Sequence, residues 1–367
     1  MLNPHSRHLM FIVYDGIENS VFHSQVLTPL LNQLAEDASL EITLVSFEVV
    51  RVLPEKVMRL IPAHDRLHLV LLHRWRFMGR ISLWFGVMQL CGLMNRVPCH
   101  HIITRGPLAG WIAMHTLRCL RVKRLKQENH EPIPTLKVQA RGLCAEEFRY
   151  VHTQNKTGFF EGLAYYFIYR LLWFVEREVY GGKIMKDYLI EAVSPSLKDY
   201  MIKNFGTDAS KIVIALHDIP PSVPEHMVIQ WRNQVRRRLN IPADAYVYCY
   251  SGSYKPWQCA DETVRFFAQQ YATDRHAFLL ILSQNKDAFI NALERHGVAA
   301  FNYRVVSISP RYLSEYLAAA DAGLLFREPD VINWISRPTK ALEYQAVGLK
   351  ILHNNTVAWL TQKNKCC

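Results

Sequence analysis

The sequence predicts two doubly wound α/β domains, each a parallel sheet covered by helices. Three observations carry this. Apolar runs of strand length alternate with segments of helical period almost from end to end. One stretch, "HDIPPSVPEH" at 217–226, breaks the alternation with three prolines and reads as a linker. At 367 residues, half of them apolar, the chain is long enough to bury two cores. The expected division is a first domain over 1–216, the linker at 217–226 and a second domain over 227–367. Sheets of this kind bind ligands at the carboxyl ends of their strands, so the ligand site is expected where the two domains face each other across a cleft.

In the first half, strands are predicted at 9–14, 41–47, 67–72, 100–104, 134–139, 190–194 and 211–215, with helices in most of the gaps. In the second half they are predicted at 246–250, 277–282, 304–308, 322–326 and 349–352, with helices near 261–270, 286–296, 311–320 and 338–347. The helical stripe Tyr165, Tyr166, Tyr169, Leu172 and Trp173 reads as core. In "SRPTKALEYQAVGLKIL" (336–352), Pro338 fits the first helical turn, Ser336 or Thr339 can cap, and Gly348 can turn left-handed to end the helix. Lys340, Glu343 and Tyr344 stand at i, i+3 and i+4 on one face, beside backbone N–H groups open to an anion. Two readings are open there: a phosphate-and-diol site, or a solvated ion pair on a crossover helix.

The formal charge of +11 and pI near 9.2 favour an anionic partner, whether nucleic acid, an anionic membrane or a phosphorylated substrate. The longest apolar runs, 81–95 and 159–175, do not predict a membrane span: the first is short and the second carries Glu161 and Arg170. The N-terminus lacks the pattern of a secretion signal, and eight cysteines without a C-x-x-C pair suit reduced thiols, so the expected location is the cytoplasm. No histidine spacing, His100 and His101 included, matches a metal motif, and no D-x-D occurs. Neither a P-loop nor G-x-G-x-x-G is present, which removes support for nucleotide hydrolysis and nicotinamide chemistry.

The loops after the strands hold the candidate site residues. In the first half these are "DGIENS" with Gly16, "TRGPLAG" with Arg105, and "ARGLCAEE" with Arg141, Glu146 and Glu147. Glycine lets backbone approach a ligand, and arginine offers a fork of donors to phosphate or carboxylate. In the second half "SGSYKPWQ" follows a strand: Gly252 with the two serines, Ser251 and Ser253, can wrap an anion, Lys255 can supply a point charge, and Trp257 is either a base-stacking or a packing residue.

Taken together, "DGIENSVFHSQVLTPLL", "RGLCAEEFRY", "EAVSPSLKDYM", "YSGSYKPWQ" and "RPTKALEYQAVGLKIL" resemble the family 4 glycosyltransferases of the GT-B fold, over most of the chain. The resemblance implies two Rossmann-like domains and a retaining transfer of a sugar from a nucleotide diphosphate to a glycan or lipid-linked acceptor, without a metal or other cofactor. It implies that Glu343 holds the donor ribose hydroxyls, with Lys255 and Lys340 offsetting charge on the leaving phosphate and Gly252, Ser253, Ser336 and Thr339 around the donor. Gly16, Arg105, Arg141 and Glu146 then belong to the acceptor side. Two departures stand out. The family's second glutamate, eight positions before the first, is Ile335 here. The family also continues beyond a point like "NNTVAWLTQKNKCC", so an incomplete second domain is expected. Basic and aromatic residues in "HRWRFMGRISLWF" and "RCLRVKRLK" can hold such a protein peripherally on the cytoplasmic face of a membrane. The alternatives are a nucleotide-sugar epimerase on the same fold, needing a carboxylate pair such as Glu146 and Glu147, and a non-catalytic anion- or nucleic-acid-binding protein, which lacks a recognised motif.

Overall fold

The computed structural model describes residues 7–19, 22–75, 78–97, 99–126, 132–153, 159–216, 219–255 and 258–363. The chain forms two compact units, Met1–Asp218 and Ile219–Cys367. Strands β1 (Arg7–Val13), β2 (Leu40–Glu48), β3 (Leu67–His73), β4 (His101–Arg105), β5 (Thr135–Ala140), β6 (Leu189–Ala192) and β7 (Ile212–Ile214) build the first sheet. Their order is β3-β2-β1-β4-β5-β6-β7, every pair parallel. Strands β8 (Val247–Ser251), β9 (Phe278–Leu282), β10 (Tyr303–Val306), β11 (Ala322–Leu325) and β12 (Lys350–His353) build the second, ordered β10-β9-β8-β11-β12 and also parallel. Each lies within two residues of its expected position, because short apolar runs bounded by breakers and alternating with helical segments admit few other assignments.

The strand period explains the cores. Along β8, Val247 and Cys249 join an apolar cluster on one face of the second sheet, while Tyr250 and the half-buried Tyr248 join the cluster on the other. A strand apolar on both faces must be covered on both, as parallel strands usually are. In the first unit Leu9, Phe11 and Val13 pack with Leu27, Leu30 and Leu34 of the helical segment after β1. Helix Pro195–Phe205 shows local and global signals agreeing: Ser194 accepts a hydrogen bond from Leu197 N at 3.1 Å, Pro195 follows it, and Gly206 ends the helix left-handed at φ +69°.

Three expectations need correction. The helix of the 336–352 stretch is Thr339–Ala346, shorter than expected, with Pro338 at its N-cap. Neither Ser336 nor Thr339 caps it: the Ser336 hydroxyl instead donates to Asn333 O at 2.8 Å. The helix expected over 311–320 closes after Leu313–Leu317, behind a short 3-10 turn at Pro310–Tyr312. The aromatic stripe is only partly core. Helix Phe159–Tyr180 buries its C-terminal half, whereas Tyr166 is exposed together with Leu163 and Phe167. Helical periodicity marks an apolar face but not what covers it. Among the described residues no helix is long and apolar enough to cross a membrane.

Candidate functional site

In the second sheet the chain order reverses between β8 and β11, so the loops leaving these strands are placed to hold a ligand. The first begins at Gly252, whose φ of +140° is closed to most side chains. A Cβ there would collide with the Lys340 ammonium and lie 2.8 Å from Gln258 Oε1. Glycine therefore lets two polar side chains reach the loop: Lys340 Nζ donates to Gln258 Oε1 at 2.8 Å and stands 4.2 Å from the Tyr250 ring centroid. Tyr250 donates to Ser253 O at 3.0 Å, fixing the loop above. Tyr344 anchors the helix from below, accepting from Ser251 N at 3.1 Å and donating to Leu324 O at 3.3 Å. Its ring occupies the space a side chain at position 323 would need.

The Lys340, Glu343 and Tyr344 face is thus half-interior, with Tyr344 fully buried and the other two partly exposed. Burial, and then the Arg327 charge, hold the Lys340 ammonium pKa well below its usual value, with Glu343 opposing. Burial raises the Glu343 carboxyl pKa, offset in part by Lys340. Among the described residues no donor hydrogen-bonds the Glu343 carboxylate. A carboxylate with open acceptor sites beside a half-buried lysine can receive a pair of hydroxyls. Lys255 is exposed on the loop after β8. Thr339 is exposed and Ser336 half-buried at the helix start. Trp257 lies outside the described residues. Ile335, where the resembled family carries its second glutamate, is interior at 2% exposure.

In the first unit the corresponding loops leave β1, β4 and β5. Gly16, at φ +82°, turns the chain after β1, and a Cβ there would come within 2.7 Å of Glu48 Oε2. Glu48, at the end of β2, accepts from Ile17 N at 2.9 Å and from Ser46 Oγ at 2.6 Å, tying the loop to the sheet. Arg105 ends β4 and donates to Gln25. Glu147 stands near both Asp15 and Arg105: burial and the Asp15 carboxylate raise its pKa, and Arg105 opposes them. Glu146 points elsewhere, accepting from Tyr169 OH at 3.1 Å and pairing with Arg149 at 2.6 Å. Of the two carboxylates, Glu147 is therefore the one gathered with Arg105. Arg141 is half-buried in the loop after β5. Among the described residues no group of three or more His, Cys, Asp or Glu is placed to hold a metal ion.

Sequence reasoning missed Arg327, Gln258, Asp15 and Glu48. Arg327 follows β11 and its backbone is held by Asn354, whose Nδ2 donates to Arg327 O at 2.7 Å. Its position after a strand was the available signal. Asp15 and Gln258 lay in loops already singled out after strands, while Glu48 carried no signal, since its role depends on a contact across 31 residues.

No family model matches the chain, and no curated protein matches it by sequence. Solved structures do match. WaaG, a glycosyltransferase involved in lipopolysaccharide biosynthesis, is similar over 97% of this chain and 84% of its own, at a TM-score of 0.61 and 14% identity. Sucrose-phosphate synthase from Thermosynechococcus elongatus is similar over 96% of this chain and 82% of its own, at 0.62 and 14%. The lipopolysaccharide outer core galactosyltransferase WaaB, in its apo form, is similar over 94% and 80%, at 0.55 and 12%. At these identities the likeness is one of fold: two parallel-sheet, Rossmann-like domains, as in the GT-B glycosyltransferases.

Proposed function

We propose that the protein is a glycosyltransferase that moves a sugar from a nucleotide-diphosphate donor to a glycan or lipid-linked acceptor, with retention and without a metal. The observation that carries this reading is the Gly252 loop closed over Lys340, next to a Glu343 carboxylate that no described donor occupies. Glu343 would accept two hydrogen bonds from the ribose diol, and the start of helix Thr339–Ala346 would face the diphosphate. In the transfer, the acceptor hydroxyl oxygen bonds to the anomeric carbon while the bond from that carbon to the diphosphate oxygen breaks. The electron pair leaves with the diphosphate, and the hydroxyl proton passes to the departing phosphate. Lys255, Lys340 and Arg327 would supply positive charge where negative charge accumulates. Gly16, Arg105, Arg141 and the Asp15–Glu147 pair would line the acceptor side, and the exposed apolar residues of the first unit would keep the enzyme peripheral to a cytoplasmic membrane face. Thermal-shift measurements with uridine and guanosine diphosphate sugars test the reading: one of them should raise the melting point, since a ligand that binds only the folded state stabilises it. A panel in which neither nucleotide series shifts the transition would reject it.

A further inference from the structure

Gln139 on β5 and Glu191 on β6 are register partners, so their side chains leave the first sheet on the same face, and Lys137, two residues earlier, follows them. Lys137 Nζ lies 2.9 Å from Glu191 Oε1, and Gln139 Nε2 donates to Glu191 Oε2 at 2.9 Å. A cavity of about 320 Å³ opens over this trio. Gln25 and Gln33, from the helical segment after β1, stand in its opposite wall, and Phe11 and Ile103 add apolar surface. Gln139 is 4% exposed, yet its Oε1 has no hydrogen-bond partner. Exchanging the two ends of the amide would set its oxygen against the Glu191 carboxylate, acceptor against acceptor, so the unanswered atom is an acceptor. It calls for a ligand that donates.

The charges narrow the ligand further. Lys137 and Glu191 already compensate each other, so the cavity offers no net charge to an ion. Its remaining polar groups are amides, which both donate and accept, set beside flat apolar surface. The volume is in the range of small-molecule sites. We propose that this cavity is a binding site for a neutral polyhydroxylated ring of monosaccharide size, held by hydroxyl donation to Gln139 and by the amides of Gln25 and Gln33. The site adjoins the loop after β4, because Gln25 also accepts a hydrogen bond from Arg105. It is built from residues of the first unit and the Gly252 and Glu343 site from residues of the second, and direct binding tests it whether or not the chain transfers sugar.

Saturation-transfer NMR on the full chain with glucose, galactose and mannose, and with glucose 6-phosphate for contrast, is the experiment. At least one neutral sugar should receive saturation. Gln139→Leu and Gln33→Ala should each weaken its binding roughly tenfold, as the loss of one or two hydrogen bonds would. Glu343→Gln should leave it unchanged. The proposal fails if no neutral sugar responds, if only the phosphorylated sugar does, if binding survives both cavity substitutions, or if Glu343→Gln abolishes it. Circular dichroism checks the fold of each variant. Should Gln139→Leu not fold, Gln33→Ala on the half-exposed wall decides alone.

Discussion

Glu343 is the residue on which the donor reading turns. Its carboxylate is open to a ligand and its pKa is raised by burial. If it holds the ribose diol, Glu343→Gln should weaken donor binding by about 1–3 kcal/mol, the range for hydrogen bonds to a charged group, with the melting point of the free protein little changed. Donor affinity in the wild type should also decline as pH falls, beginning above the ordinary glutamate value of 4.5, because the raised pKa neutralises the acceptor early. Calorimetric titration across pH checks both, and an unchanged Kd in the variant would sink the ribose role. Lys255 asks a different question. A lysine aimed at the leaving diphosphate gains attraction as the bond breaks, so Lys255→Ala should lower kcat roughly a hundredfold with a smaller effect on donor Kd. Equal losses in both would make it a ground-state anchor only.

At the scale of elements, charges fasten the second sheet to its first helix. Asp321, just before β11, accepts from Arg232 at 2.5 Å, from Arg236 at 2.8 Å and from Val247 N at 2.7 Å. Arg236 is buried, so removing its partner strands a charge in the interior. Asp321→Ala should cost about 3 kcal/mol in denaturant unfolding, and a loss below ~1 kcal/mol would show the cluster to be solvent-screened. The first unit holds the opposite device. Glu176, buried in helix Phe159–Tyr180, has its pKa pushed up to about 8 by burial, against hydrogen bonds from Cys144 and Ala145. The folded pKa lies above the ordinary value of 4.5, so the folded state retains a proton that the unfolded chain releases. This contribution is complete below that ordinary value and is lost as pH rises toward about 8. Wild-type stability should therefore decline across this window, and Glu176→Gln should flatten the decline. Parallel melting curves at pH 5 and pH 8 would refute the assignment.

For the whole molecule, two helices of the first unit leave large apolar side chains exposed. On helix Gly79–Met94, Ile81, Trp84 and Met88 form an exposed stripe at i, i+3 and i+7. Helix Phe159–Tyr180 exposes Leu163, Tyr166 and Phe167. If the protein is peripheral to an anionic membrane, as proposed, these residues and the net charge of +11 would supply its contact. Sedimentation with phosphatidylglycerol-containing vesicles should capture the protein, and added salt should weaken the capture. Trp84→Glu should lower the partition at least tenfold, given roughly 1.5–3 kcal/mol for burying one large side chain. Equal capture on neutral vesicles would remove the electrostatic part of the proposal.

What the sequence by itself determined follows from short-range chemistry. Continuous apolar runs of strand length such as "LMFIVY" and "AFLLIL" specify strands buried on both faces, their alternation with helical segments specifies parallel sheets, and prolines at 217–226 mark where one set ends. The position of "SGSYK" after a strand and the i, i+3 spacing of Lys340 and Glu343 were equally legible. The tertiary structure decided what depends on residues far apart in the chain. It showed that Gly252 makes room for Lys340, 88 residues later by their numbering, and that the raised Glu343 pKa reflects burial. It also turned Glu147 rather than Glu146 toward Arg105, and set Gln139 over a cavity walled by Gln25 and Gln33. Periodicity records which face of an element is apolar. Desolvation and hydrogen-bond pairing depend on what packs against that face, and that exists only once the chain has folded.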